Sequence, residues 1–473
     1  MTISSTVPDG GFRQIDIPAL IDRSKIGFSQ TIMLVLCGLC LIVDGFDVQA
    51  MGYVAPAIIQ DWGIAKSHLG PVFGAGLFGM LVGSLMFSML ADRIGRRPVL
   101  IAATLFFAVC MLVTPMATSL GELEIIRFIT GLGLGAIMPN AMALAGEYSP
   151  VRKRVTLMML VSCGFTLGAV LGGLLSAYLI PRFGWQSVFH VGGVVPLVIG
   201  ALMIFLLPES MQFLVLRGKK LDQVGKWLRR IDPNVVIDAQ TRYVVNEKAG
   251  KGAPMLQLFQ EGRAKVTILL WVINFMNLVN LYFLSNWLPT IAKDAGLSTA
   301  NAVLAGTALQ IGGTFGTLIM GQLIDRSSFR RVLIPVFVVA GFAVALIGRP
   351  EASLVFLFGS IFVAGFCIVG GQPAVNALAG TYYPTTLRST GIGWSLGIGR
   401  IGSIVGPVLG GELIRLNWPN STIFIVLAVP ALVSALMLIL MGNSALRKST
   451  VASSITTTSA NEGQSTLIVQ NKL

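Results

Sequence analysis

A chain of 473 residues in which 54% are hydrophobic, only 12% are charged and 54 are glycine, with a mean hydropathy of +0.79, is too apolar for a soluble domain. Its net charge of +13 at pH 7 invites a nucleic-acid partner, but the basic residues lie between long apolar runs, a placement that reflects membrane topology instead. The five cysteines, at 37, 40, 110, 163 and 367, all fall inside apolar runs, where they pack as small apolar side chains and give no disulfide framework.

Reading runs of about twenty apolar residues as membrane-crossing helices gives twelve spans: 29–56, 68–90, 98–117, 121–146, 156–180, 186–207, 266–292, 300–324, 332–349, 353–379, 389–413 and 421–442. The expected fold is an all-α integral membrane protein, twelve transmembrane helices in two pseudo-symmetric six-helix bundles, 29–207 and 266–442. Segment 1–28 is a cytoplasmic N-terminal segment. The first span is too long for a cleaved signal peptide and carries two acids. The stretch 208–265, with eleven basic and six acidic residues, is a cytoplasmic linker with an amphipathic helix over Leu221 to Ile231, expected as a solvated pair of helices on the inner membrane surface. The Ser/Thr-rich tail 443–473 is expected to be disordered. With both termini cytoplasmic, inner segments hold 27 of the 34 basic residues; Lys66, Arg182, Lys293, Arg349 and Arg415 fall outside, and Arg127 and Arg400 lie within spans. That bias predicts a multi-pass protein of the bacterial inner membrane.

The chain says one thing twice. Gly146-Glu147-Tyr148-Ser149-Pro150 with Arg154 returns 234 residues later as Gly380-Thr381-Tyr382-Tyr383-Pro384 with Arg388. Asp92-Arg93-Ile94-Gly95-Arg96-Arg97 returns as Asp325-Arg326-Ser327-Ser328-Phe329-Arg330-Arg331. Two similar halves are how secondary transporters build an alternating-access site at the midplane. Rows of small residues, Gly164, Gly168 and Gly172 in span five and Gly402, Gly406 and Gly410 in span eleven, let helix backbones approach closely. Gly397, Gly399 and Gly402 spell a dinucleotide-binding pattern, but inside an apolar helix it is a packing motif. Cys37 and Cys40 have neither a second pair nor nearby histidines, His68 and His190 are structural, and neither a metal site nor a cofactor is expected.

The paired inner-loop segments resemble the signature of the major facilitator superfamily over nearly the whole chain, with Ser88 where the family carries its leading glycine and Gly321 keeping it in the second copy. Asp44-Gly45-Phe46-Asp47, and Tyr383 through Gly391 continuing to Gly399-Arg400-Ile401-Gly402, are similar to signatures of the aromatic acid:proton symporter family. The resemblance implies that Asp92, Arg93, Arg96, Arg97, Glu147, Arg154, Asp325, Arg326, Arg330, Arg331 and Arg388 are gating charges that latch the outward-facing state.

Ionisable residues inside a membrane helix are costly and mark substrate or proton pathways. Asp44 and Asp47, three apart, share a helix face. They lie roughly 22 and 27 Å from the inner end of span one at about 1.5 Å per residue. Arg127 reaches a comparable depth in span four, so a pair with either acid is feasible and leaves one carboxylate over to carry a proton. Arg400 lies roughly 17 Å into span eleven by the same rise, with no acid in its own helix before Glu412. A bidentate guanidinium there suits a carboxylate substrate, although an acid from another helix is the competing partner. Its counterpart in the first half is Thr166. Asn274, Asn277, Tyr282, Asn286, Gln310, Gln372, Asn376 and Trp394 are the other polar and aromatic candidates for a substrate cavity, half of which bond only between helices.

Together these readings predict a monomeric, proton-coupled symporter that imports a benzoate- or hydroxybenzoate-type carboxylate, with the lipid bilayer as its solvent. Another facilitator branch carrying an aliphatic acid or sugar-like substrate, suggested by Pro208-Glu209-Ser210, and a transporter-like sensor stay open as alternatives. An enzyme is not expected, because no nucleophile and base or metal constellation occurs.

Overall fold

Twelve helices long and apolar enough to cross a bilayer carry the chain in the computed structural model, which describes residues 13–218, 221–232, 235, 237, 241–244, 255–349, 353–383 and 387–442. The six of the first half are α2 (Phe28–Trp62), α3 (Leu69–Ile94), α4 (Arg96–Val113), α5 (Leu120–Glu147), α6 (Val151–Phe183) and α7 (Gln186–Leu206). Those of the second half are α10 (Ala264–Asp294), α11 (Thr299–Arg326), α12 (Phe329–Ile347), α13 (Leu354–Tyr382), α14 (Arg388–Arg415) and α15 (Asn420–Gly442). Between the halves lie α8 (Met211–Leu216) and α9 (Leu221–Ile231), and a short α1 (Ile17–Arg23) precedes them all. Every expected span is a helix, and the expected fold class stands. Leu85, Leu160, Phe205, Phe342 and Val355 are exposed on these helices, as side chains that face lipid are.

Helix ends outrun hydropathy in places. Apolarity in the first span fades near residue 56, yet α2 continues through Gln60, Asp61 and Trp62 and stops only at Gly63, whose φ of 61° turns the chain away. The polar extension is held from α7's threshold: Trp185 Nε1 donates to Asp61 Oδ2 at 3.0 Å and meets the Trp62 ring edge-on.

The glycine rows are packing seams. A Cβ on Gly45 of α2 would fall inside van der Waals contact with the Phe165 carbonyl of α6, and one on Gly168 would do the same to that of Ile42. In the second half, Gly402 and Gly406 of α14 bring that helix equally close to the carbonyls of Phe275 and Val279 on α10. Equivalent helices therefore pair through equivalent glycines in both halves.

By packing, the molecule divides into two units. One comprises the described residues of Met1–Ala249, Leu284–Ile311 and Pro407–Asn417; the other those of Gly250–Phe283, Gly312–Gly406 and Trp418–Leu473. In the first unit, β1 (Arg13–Asp16) pairs in parallel with β2 (Thr241–Val244), Arg13 opposite Thr241 and Asp16 opposite Val244. Asp16 Oδ1 caps α1 by accepting from the Ala19 N–H at 3.2 Å, and Ile17 and Ile21 are buried beneath. At α9 the apolar stripe, Val224, Leu228 and Ile231, is buried within this unit, where α9 packs on α8 and α2, while Asp222, Lys226, Arg229 and Arg230 on its other face are exposed. Gly225 lies close to the Tyr243 hydroxyl of β2. An apolar stripe already covered by protein is not available to lipid. The tail 443–473 lies outside the described residues.

Candidate functional site

Two buried acids and one buried arginine stand in the first unit. Asp44 and Asp47 of α2 are 1% and 0% exposed, and Arg127 of α5 is 4% exposed. A charge so removed from water must be paired. Arg127 Nη1 and Nη2 donate to Oδ1 and Oδ2 of Asp47 at 2.9 and 2.8 Å, the bidentate fork that guanidinium geometry favours. Nη1 also approaches Met111 Sδ of α4 at 3.7 Å. Of the two partners open in the sequence, Asp47 takes the arginine; Asp44, one turn earlier, stays buried on the same helix. Arg127 is carried to this depth by the α3–α5 seam, where Gly79 and Gly83 lie against the carbonyls of Phe128 and Leu132 and Gly131 lies against that of Gly76.

Beside the pair is a narrow cavity lined by Asp47 and Val48, Met51 of the same helix, Val72, Phe73 and Leu77 of α3, Arg127, and Asn286 of α10. It has room for a water molecule or two, and not for an aromatic ring. One wall is a tight junction. A Cβ on Gly52 would come to 2.5 Å from the Ser285 carbonyl and 3.0 Å from Asn286 Cα. Gly70 approaches Gly411, a Cβ there lying 3.2 Å from its Cα. Trp287 Nε1 donates to the Pro407 carbonyl at 2.8 Å and its ring meets Phe73 edge-on at 5.2 Å. Lys66 and Asp294 form an ion pair. Gln310, a substrate candidate in the sequence, belongs to this junction and donates to Ser285 Oγ at 3.2 Å.

In the second unit the predicted amides find one another. Asn274 Nδ2 donates to Ser395 Oγ at 2.7 Å, Gln372 Nε2 to Asn274 Oδ1 at 2.7 Å and to Asn376 Oδ1 at 3.3 Å, and Asn277 Nδ2 to Gln372 Oε1 at 2.6 Å. They clasp α10, α13 and α14. Asn274 and Asn277 are buried while Gln372 and Asn376 are half-buried. Trp394 stacks on Trp271 at 6.0 Å and is 41% exposed, and Tyr282 is buried. Arg400 is half-buried, and among the described residues no carboxylate forms an ion pair with it. Its neighbour Gly399 abuts Asn274, and Ser403 Oγ donates to the Arg400 backbone carbonyl at 2.6 Å.

In the first half, Arg96, Arg97, Glu147, Glu209 and Ser210 form one network. Arg96 pairs with Glu147, and Glu147 also accepts from Ser210 Oγ. Glu209 Oε1 accepts from the N–H groups of Arg96 and Arg97 at 3.0 and 3.1 Å, capping α4, while Arg97 Nε donates to the Leu207 carbonyl at 2.7 Å. Burial pushes the Tyr148 phenol up, the Glu209 carboxylate adding to it, so the hydroxyl stays protonated and donates to the Glu209 carbonyl at 2.6 Å. The Asp92 carbonyl accepts from Arg217 at 3.1 Å, Arg93 is exposed, and Arg154 Nε donates to the Ser149 carbonyl at 3.4 Å. Glu209 and Ser210 were read in the sequence as the start of a linker; their type and place, an acid and a hydroxyl directly after an apolar span, were the signal. In the second half, Asp325, Arg326 and Arg331 are exposed and Arg330 is half-buried and engaged. The Arg388 side chain lies outside the described residues. Among those residues no cluster of histidine, cysteine and acid could hold a metal, and Cys37 and Cys40 lie buried against Met33 and Met203.

The family model described as Major Facilitator Superfamily matches residues 37–231 and 270–463. The chain is 39% identical to a gallate transporter of Pseudomonas putida over 92% of its own length and 96% of that protein's. It is 39% identical to the 4-hydroxybenzoate transporter PcaK of Acinetobacter baylyi, covering 89% of this chain and 93% of that one. Its fold matches the inward open xylose transporter XylE of E. coli with a TM-score of 0.67, at 14% identity, over 86% of this chain and 95% of XylE.

Proposed function

The chain belongs to the Major Facilitator Superfamily, and from that premise we propose that it imports an aromatic carboxylate of the benzoate or hydroxybenzoate type together with protons, by alternating access. The membrane is the bacterial inner membrane with both termini cytoplasmic, a reading supported by the concentration of Lys and Arg in alternate loops. The bodies that move are the six-helix bundles 29–207 and 266–442. A multi-pass carrier, not an enzyme, is the premise; the cargo and the coupling ion are the proposal.

Substrate class is supported by the relatives, a gallate and a 4-hydroxybenzoate transporter at 39% identity. Arg400 supports the same class from chemistry: a half-buried guanidinium with no carboxylate partner among the described residues offers an anion two parallel hydrogen bonds. Asn376 stands ready to bond a ring hydroxyl, and Trp394, 41% exposed, to stack.

Proton coupling rests on a single observation, the buried bidentate Asp47–Arg127 pair next to a second buried acid, Asp44. Protonating Asp47 removes one charge of a pair whose stability needs both, so Arg127 must find another partner and the helices that hold it must shift. Switching needs only a few kcal/mol between states, about what one such pair supplies. Proteoliposomes with an imposed pH gradient test this. The wild type should accumulate labelled 4-hydroxybenzoate, with aromatic acids competing and aliphatic or sugar acids not, whereas Asp47→Asn or Asp44→Asn should lose accumulation. Uphill uptake by both variants rejects the coupling residues; competition by sugars or aliphatic acids alone rejects the substrate class.

A further inference from the structure

The cavity at the ion pair contains a third polar side chain that comes from the other half of the sequence. Among the described residues that line it, Asp47 and Arg127 are charged, Asn286 of α10 is the one further polar side chain, and the rest are apolar or glycine. Asn286 is 4% exposed. Its backbone is pinned there, because Gly52, five residues beyond Asp47 on α2, allows α10 to approach until a Cβ would stand 2.5 Å from the Ser285 carbonyl. Phe73 both lines the cavity and holds Trp287, the residue after Asn286, edge-on. The junction and the ion pair therefore share walls.

We propose that Asn286 is a positioning residue for proton coupling: its amide oxygen takes over the Arg127 guanidinium when Asp47 accepts a proton. This rests on the reading of Asp47 as a coupling acid. The groups around Asp47 restrict the alternatives. Asp44 lies on its own helix, Arg127 comes from α5, and α4 contributes Cys110, close enough to both to be felt electrostatically, and the Met111 sulfur. From α3 the lining residues Val72, Phe73, Gly76, Leu77 and Met80 bring no polar side chain. A guanidinium released in such a cavity would leave several N–H donors unpaired, at high cost. A carboxamide supplies an acceptor without adding a charge, and a water or two in the cavity completes the shell. Because Asn286 reaches the cavity only while α10 lies against Gly52, the protonated form of Asp47 is stabilised in the packed arrangement of this junction.

The test is the pH profile of proton-driven 4-hydroxybenzoate uptake in proteoliposomes. Asn286→Leu removes the acceptor, so the pH of half-maximal uptake should fall by about one unit. Asn286→Asp offers Arg127 a stronger partner and should move it upward, while Asn286→Gln, which keeps the amide, should return it toward the wild-type value. A profile unchanged in both Asn286→Leu and Asn286→Asp overturns the proposal. The underlying reading fails separately, by uphill uptake in Asp47→Asn.

Discussion

The same inner-loop motif is solved in two ways. In the first copy, α4 begins at Arg96 with its N–H groups capped from a distance by Glu209, and Gly95 makes this possible: at a φ of 110° it turns the chain, and any Cβ there would collide with the Glu209 carboxylate. In the second copy, one residue longer, α12 is capped from within by Ser328, whose hydroxyl accepts from the Arg331 N–H at 3.4 Å. At the offset of 234, Asn443 stands in the sequence where Glu209 stands in the first half. One copy ties three segments together; the other ends its own helix. The repeat keeps the basic residues, while the network depends on Glu209, which lies outside the repeated motif, and on Glu147, whose counterpart in the second copy is Thr381.

The largest effect should follow Gly95→Val, which places a branched side chain at positive φ and onto the Glu209 carboxylate. Backbone strain alone costs about 1–3 kcal/mol, and uptake should fall by about tenfold or more, read alongside thermal unfolding in detergent. Next, Glu147→Gln should slow uptake several-fold by removing the partner of Arg96 and weakening the Ser210 contact, while Asp325→Asn, exposed and outside any ion pair among the described residues, should stay within about twofold. Equal losses in those two variants would break the comparison, because the copies would then carry equal weight in the transport cycle. The smallest effect belongs to Ser328→Ala, the loss of one local cap at about 1 kcal/mol, visible as a small drop in unfolding temperature with uptake maintained.

Much of this was legible beforehand. Twelve spans, the repeat and the paired charges at the loop ends followed from hydropathy and spacing, and Arg127 was placed at the depth of the two acids by counting residues. Four things were not. Asn274, Asn277 and Gln372 share a polar pattern with ligand-binding residues but spend most of their hydrogen bonds on one another. Gln310 serves a packed junction. Glu209 and Ser210 sat in a segment read as linker, since nothing local distinguishes a solvated acid from one that caps a helix more than a hundred residues away. The amphipathic stripe of α9 likewise reads the same whether lipid or protein covers it.

By itself the sequence determined that this chain crosses the membrane twelve times, in which places, and with which ions stranded inside, because the transfer of some twenty apolar residues into hydrocarbon is settled segment by segment. Tertiary structure alone decided that Asp47 and not Asp44 holds Arg127, that Asn286 joins their cavity, and that Glu209 caps α4. Those choices turn on the rotation and depth of one helix against another, fixed to within an ångström where glycines let backbones touch, and no stretch of chain carries that information on its own.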